Sequence, residues 1–158
     1  MAGWDDVRRM ALALPETTER TSRGNVSWRV RDRPFVWERP LRDSDLRALG
    51  AAAPDGSILG ARVEHVGAKE ALLADDHGVY FTTPHFDGYP AILVRLDEIG
   101  VDDLEEVIVE AWLVQAPRRL AREWEAARER GRRGGQSRAG PGQCSSTAPR
   151  RSARTRSR

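Results

Sequence analysis

The chain has 158 residues, 39% of them hydrophobic and 32% charged, which leaves room for one domain with its own hydrophobic core. Its single cysteine, Cys144, excludes an intramolecular disulfide and any cysteine-based metal cluster, and no apolar run approaches the roughly 18 residues that a membrane span needs. The formal net charge of +2 conceals a split: residues 131–158 hold eight arginines and no acid, so 1–130 hold 18 basic and 24 acidic side chains, a net of −6. Residues 1–6 show neither a basic leader nor an apolar one, and the expected location is the cytoplasm.

Trp4, Val7, Met10, Ala11 and Leu14 fall at helical spacing and predict a first amphipathic helix over about 4–14, stopped by Pro15. Glu16 to Gly24 is polar without apolar periodicity and reads as a connection. Val26, Trp28 and Val30 alternate with Ser27, Arg29 and Arg31, as in a half-buried strand. Arg31-Asp32-Arg33-Pro34 predicts a turn into a second strand over 35–38, giving an antiparallel hairpin with Arg29 and Arg31 on its wet face. Leu46 and Leu49 mark a short helix capped at Asp43 or Ser44.

Leu59, Ala61 and Val63 alternate as a third strand ending near His65, and residues 67–75 have the composition for one or two helical turns. A turn at Asp75-Asp76-His77-Gly78 leads to a fourth strand over 79–83, and Asp87-Gly88 predicts a tight turn into a fifth over 91–96. Leu104, Val107, Ile108, Ala111 and Trp112 occupy one helix face, behind a capping-box pattern at Asp102 and Glu105. Pro117 ends that helix and suits the start of the next, whose apolar stripe is Leu120, Trp124 and Ala127. Strands gathered between terminal helices predict an α+β fold, a central antiparallel sheet packed by N-terminal and C-terminal helices.

From about Gly131 the composition turns to Arg, Gly, Ser, Ala, Pro and Gln, which divides the chain into a domain over 1–130 and a disordered basic tail over 131–158. Such a tail is either a polyanion hook, since arginines near phosphates release condensed counterions, or an unselected read-through or frame-shifted end.

Several blocks in order resemble the MmcQ/YjbR family. They are Ala11-Leu12-Ala13-Leu14-Pro15-Glu16, the strand bearing Trp28, and Phe35-Val36-Trp37. The later blocks are Thr83-Pro84-His85-Phe86-Asp87-Gly88-Tyr89-Pro90 running into Leu93-Val94-Arg95-Leu96, then Glu110-Ala111-Trp112 and Ala116-Pro117-Arg118-Arg119-Leu120. The likeness covers about 4–125 and leaves the tail out. It implies a compact α+β fold similar to frataxin-like folds, and members are generally described as DNA-binding. It supplies no catalytic residue, and an acidic domain departs from the expected charge of a DNA-binding protein.

On that implication the nucleic-acid-binding candidates are Arg29, Arg31, Arg33 and Arg39 of the hairpin, with Arg95, Arg118, Arg119 and Arg122. Strand arginines track phosphates and neighbouring aromatics stack on unpaired bases, but surface arginines also pair with acids such as Asp32, Glu38 and Glu123. Trp4, Trp28, Trp37, Trp112 and Trp124 are expected mainly in the core, with Trp28, Trp37 and Tyr89 as the lining of an alternative small-ligand or peptide groove. His65, His77 and His85 make no site by spacing, and His85 with Asp87 is too small a ligand set for a metal. Asp97, Glu98, Asp102, Asp103, Glu105, Glu106 and Glu110 read as a solvated helix face before they read as a cation ridge. No nucleotide-loop, hydrolase-elbow or zinc-helix motif is present, so the expectation is a non-enzymatic binding protein without a cofactor. Its candidate partners are DNA, or else a protein or small ligand, and not a membrane.

Overall fold

The computed structural model describes residues 2–75 and 78–136. The expectations for His77, for Cys144 and for a tail lacking structure beyond 136 lie outside the described residues. Among them run α1 (Trp4–Leu12), β1 (Thr17–Ser22), β2 (Asn25–Val30), β3 (Arg33–Glu38) and α2 (Asp43–Leu49). Then come β4 (Ile58–Arg62), α3 (Val66–Ala74), β5 (Tyr80–Phe81), β6 (Ala91–Arg95), α4 (Val101–Gln115) and α5 (Arg118–Gln136). The strands form one antiparallel sheet in the order β1-β2-β3-β4-β6-β5. The fold is α+β, as the pattern of elements predicts.

One face of the sheet carries the main core. Trp28, Val30, Leu59, Ala61, Ile92 and Val94 pack there against α1 and α4, which present Val7, Met10 and Ala11 and then Leu104, Val107, Ile108, Ala111 and Trp112. Both sets repeat at three and four residues, so each helix buries one stripe. Trp112 is fully buried; its indole N–H donates to the Pro15 carbonyl at 3.2 Å, and its ring meets Trp124 at 5.4 Å between centroids. That contact ties the start of α5 to α4 and confirms four of the five tryptophans as core or core-edge residues, Trp4 stacking on Trp28 at 6.3 Å.

Several boundaries differ from expectation. Residues 17–22, expected as a connection, form the edge strand β1, joined to β2 through Arg23 (φ 52°) and Gly24 (φ 81°). Both central residues lie at positive φ, the two-residue hairpin geometry whose twist matches that of the strands. β3 begins at Arg33 because the β2–β3 turn needs only Arg31 (φ 46°) and Asp32 (φ 65°). β5 pairs over two residues where five were expected, since Pro84 starts a 3-10 turn, Pro84–Phe86. The cap of α4 is Gly100, so the predicted capping box at Asp102 does not form, and the cap of α2 is Arg42. In α2 the buried side chain is Asp45, while Leu46 is exposed. The compact body ends at Trp124. Taken by itself, the distal part of α5 stays helical through Gln136, past the compositional change at Gly131, with Ala127 exposed.

Candidate functional site

Strand alternation sends Ile58, Gly60 and Arg62 of β4, Ala91, Leu93 and Arg95 of β6, and Trp37 of β3 to the sheet face opposite α4. That face holds a smaller core of Ile58, Phe81, Phe86, Ala91 and Leu93, with Trp37, Leu41 and Leu49 half-buried at its margin. Its uncovered part is an open cleft of about 740 Å³. β3 supplies Pro34, Trp37 and Glu38, the following segment supplies Arg39, Pro40, Leu41 and Arg42, and β4 supplies Arg62. The far wall is the loop from His85 to Tyr89, and Asn25 closes one end.

The floor is Trp37 over Gly60. The two residues pair in register, and a β-carbon at Gly60 would overlap the indole of Trp37. Glycine is required there because the ring lies directly against the backbone of the next strand. One face of the indole is thereby sealed and the other is left to the cleft.

The wall is built on a buried cation. Lys69 of α3 is 4% exposed, and its ammonium donates to the Phe86 carbonyl at 2.6 Å and to the Tyr89 carbonyl at 3.3 Å. Burial pushes its pKa below 10.5, and the charge of Asp87 partly opposes that. The loop so held presents Phe86 inward, with His85 edge-on to it at 5.0 Å and Tyr89 at 6.3 Å. The Arg62 guanidinium carbon lies 4.8 Å over the Tyr89 ring, and its buried Nε has no hydrogen-bond partner.

A second buried cation braces the near wall. Arg39 donates to Asp45 at 2.8 Å and to the Pro40 carbonyl, and its guanidinium carbon sits 5.3 Å over Phe86. The same Asp45 oxygen accepts from the Arg42 amide at 2.9 Å, which closes the first turn of α2. Burial alone would raise the Asp45 pKa; the Arg42 amide and the Arg39 guanidinium outweigh it and hold the carboxyl below 3.8. The Thr83 hydroxyl, at 1% exposure, is buried beside Asp45 and adds a smaller lowering of its pKa.

The carboxylates of the cleft are partly engaged. Glu38 accepts from the Val26 amide at 2.8 Å, and Asp87 faces Lys69. Arg42 and Arg62 are matched by no ion pair among the described residues, so the cleft offers cationic groups beside aromatic surface. Negative potential gathers elsewhere, around Tyr80, whose pKa is raised by burial and then by Asp103, Asp75, Glu110 and Glu106.

A family model described as YjbR matches residues 12–114. The chain belongs to the YjbR family. It is 58% identical over 123 residues to the uncharacterized protein Rv2570 of Mycobacterium tuberculosis, and equally to the uncharacterized protein Mb2600 of Mycobacterium bovis. Each match covers 76% of this chain and 93% of the relative. The crystal structure of Deinococcus radiodurans protein DR2400, a DUF419-domain protein, is similar in fold. It shares 17% identity at a TM-score of 0.54, over 72% of this chain and 78% of that one.

In this YjbR domain the predicted nucleic-acid-binding arginines do not form one surface. Arg29 donates to the Ser27 hydroxyl at 3.1 Å and to the Asp32 carbonyl at 3.3 Å, locking the β2–β3 turn. Arg31 forms an ion pair with Glu16 at 3.1 Å. Arg39, expected among the nucleic-acid-binding arginines of the hairpin, is 7% exposed and belongs to the cleft wall, because the chain leaves β3 there and turns inward to Asp45. Arg95 shares the sheet face of the cleft but lies over Phe81 at 5.4 Å and donates to the Ala52 carbonyl at 3.1 Å. Arg119 pairs with Glu123 at 3.0 Å. Arg33, Arg118 and Arg122 are exposed.

Of the alternative groove, Trp37 and Tyr89 do line the cleft. Trp28 does not. It lies 2% exposed in the main core, its indole N–H donating to Glu19 at 3.1 Å. Sequence reasoning did not single out Arg42, Arg62 or Lys69 as site residues. The parity of β4 carries a signal for Arg62: with Leu59 and Ala61 facing the core, Arg62 must face away. His65 has a local duty, its Nδ1 accepting from the Ala68 amide at 2.9 Å as the cap of α3.

Proposed function

We propose that this YjbR-family protein is a non-enzymatic binding module whose working surface is the cleft over Trp37. The carrying observation is the seating of Trp37 on Gly60 beside Arg62 and Arg42, which puts a flat apolar surface and uncompensated cationic donors in one concave site. Those features suit a small ligand better than a duplex groove. The test is magnetic-resonance screening of a small-molecule fragment set against the intact chain. The expected hits shift the Trp37 indole and the amides of 85–89 and vanish in Trp37→Ala. Hits that map only to other surfaces would sink the reading.

A second reading, DNA contact, is favoured by one observation. Gln115 at the end of α4 donates to the Pro34 carbonyl at 3.0 Å, which brings Arg33 and the start of α5, with Arg118 and Arg122, to one end of the body. The reader would then be that corner and not the β2–β3 hairpin face, where Arg29 and Arg31 are already engaged. Titration of DNA at several salt concentrations discriminates: Arg33→Ala with Arg118→Ala lowers the salt slope by about 2 if those arginines neutralise phosphates, and leaves it unchanged otherwise.

A further inference from the structure

Resting on the cleft reading, we infer that the ligand is an aromatic anion: a flat ring that stacks on the outer face of Trp37, joined to an anionic group taken by Arg62 and Arg42. The ring requirement follows from the floor. Trp37 cannot sink, because Gly60 is already in contact with its inner face, and it cannot swing freely, because Leu93 lies beside Gly60 in register. It is a fixed flat surface half open to the cleft, the geometry on which another π-face stacks.

The anion requirement follows from which charges are spent. Arg39 is consumed by Asp45, Lys69 by two carbonyls, and Glu38 by the Val26 amide. What remains facing the cleft is Arg42, exposed at the head of α2, and Arg62, laid on the ring of Tyr89. The Tyr89 ring, 4.8 Å from the guanidinium carbon, restrains the position of the Arg62 head group. A planar fork held in that way binds a carboxylate or phosphate bidentately with little further loss of freedom. The buried and unpartnered Nε of Arg62 adds a polar group whose hydrogen bond the protein itself leaves unmade. Asp87 is the carboxylate on the rim, and Lys69 behind the loop offsets it.

The shared chemistry, ring plus anion, occurs in mononucleotides and in aromatic carboxylates. Calorimetric titration of the full chain with adenosine monophosphate, naphthoate, adenosine and inorganic phosphate separates them. Expected is binding of at least one of the first two, with its ring-only or ring-free counterpart about tenfold weaker or worse. Trp37→Ala and Arg62→Gln each weaken that binding by about tenfold, Trp37→Phe recovers part of it, and raising the salt concentration weakens it. Variants are compared only where their thermal unfolding remains cooperative, and Trp37→Phe serves where Trp37→Ala does not fold. If adenosine binds as tightly as adenosine monophosphate and depends on Trp37, the anion inference is overturned while the cleft reading stands. If inorganic phosphate alone binds as tightly and is indifferent to Trp37, the ring inference is overturned. If none of the four binds, the inference falls, and the fragment screen then decides whether the cleft reading falls with it.

Discussion

Replacing Asp45 by asparagine tests the brace behind the cleft. Asp45 is 2% exposed and Arg39 7% exposed, so the substitution leaves a cation inside the protein without its counter-charge. Breaking one side of such a pair costs about 3–5 kcal/mol. The lower end applies here, because Arg39 keeps the Pro40 carbonyl and the face of Phe86, and asparagine can still accept from the Arg42 amide. A loss of about 3 kcal/mol lowers the melting temperature by roughly 10 °C in a domain of this size. The pH dependence has a definite sign. The folded pKa of Asp45 lies below 3.8, so its contribution is full above that value and is lost as the pH falls through the folded pKa. Denaturant unfolding followed by circular dichroism at neutral pH and at successively lower pH should show the wild type losing stability in that window, and Asp45→Asn losing less. A loss under about 1 kcal/mol at neutral pH would refute the claim that the pair is buried and coupled.

Three further substitutions probe other parts of the argument. Gly60→Ala forces Trp37 off its seat and should cost about 1–3 kcal/mol by overpacking, with a red shift of tryptophan emission as the indole is lifted toward solvent; an unshifted spectrum would contradict the contact. Trp112→Phe removes the bond to the Pro15 carbonyl and opens a void in the main core, and should cost about 2 kcal/mol by chemical denaturation. Asp32→Gly relieves a left-handed residue (φ 65°) in a two-residue hairpin turn, and thermal unfolding should show a gain of about 0.5 kcal/mol.

The main core was legible because it obeys simple periods. The stripe of α4 from Leu104 to Trp112 and the alternation of Leu59 and Ala61 in β4 are buried as their spacing requires. β1 was not legible for a physical reason. An edge strand open to solvent needs no apolar alternation, and its residues Thr18 to Ser22 are all exposed. Its existence is decided by backbone pairing to β2 and by the Arg23-Gly24 turn, which leave only a faint mark in composition. The inward side of α2 was misread for a related reason. Helical periodicity detects buried leucine, whereas here a buried carboxylate takes the inner position because Arg39 arrives from β3 to meet it.

The site shows the same limit more sharply. Choosing arginines by strand position treats each as a free charge, yet five of the eight candidates are engaged by a local acceptor, a carboxylate or an aromatic face. What makes an arginine available is the absence of an acid or carbonyl within reach, a property of the tertiary fold. Arg62 illustrates it. Its parity on β4 places it away from the core, and Tyr89, 27 positions later in the sequence, then meets its guanidinium carbon at 4.8 Å beside the cleft. Tyr89 can do so only because Lys69 grips the loop by its carbonyls. The only lysine of the chain is therefore spent on positioning, and the cleft cations outside any ion pair among the described residues are Arg42 and Arg62.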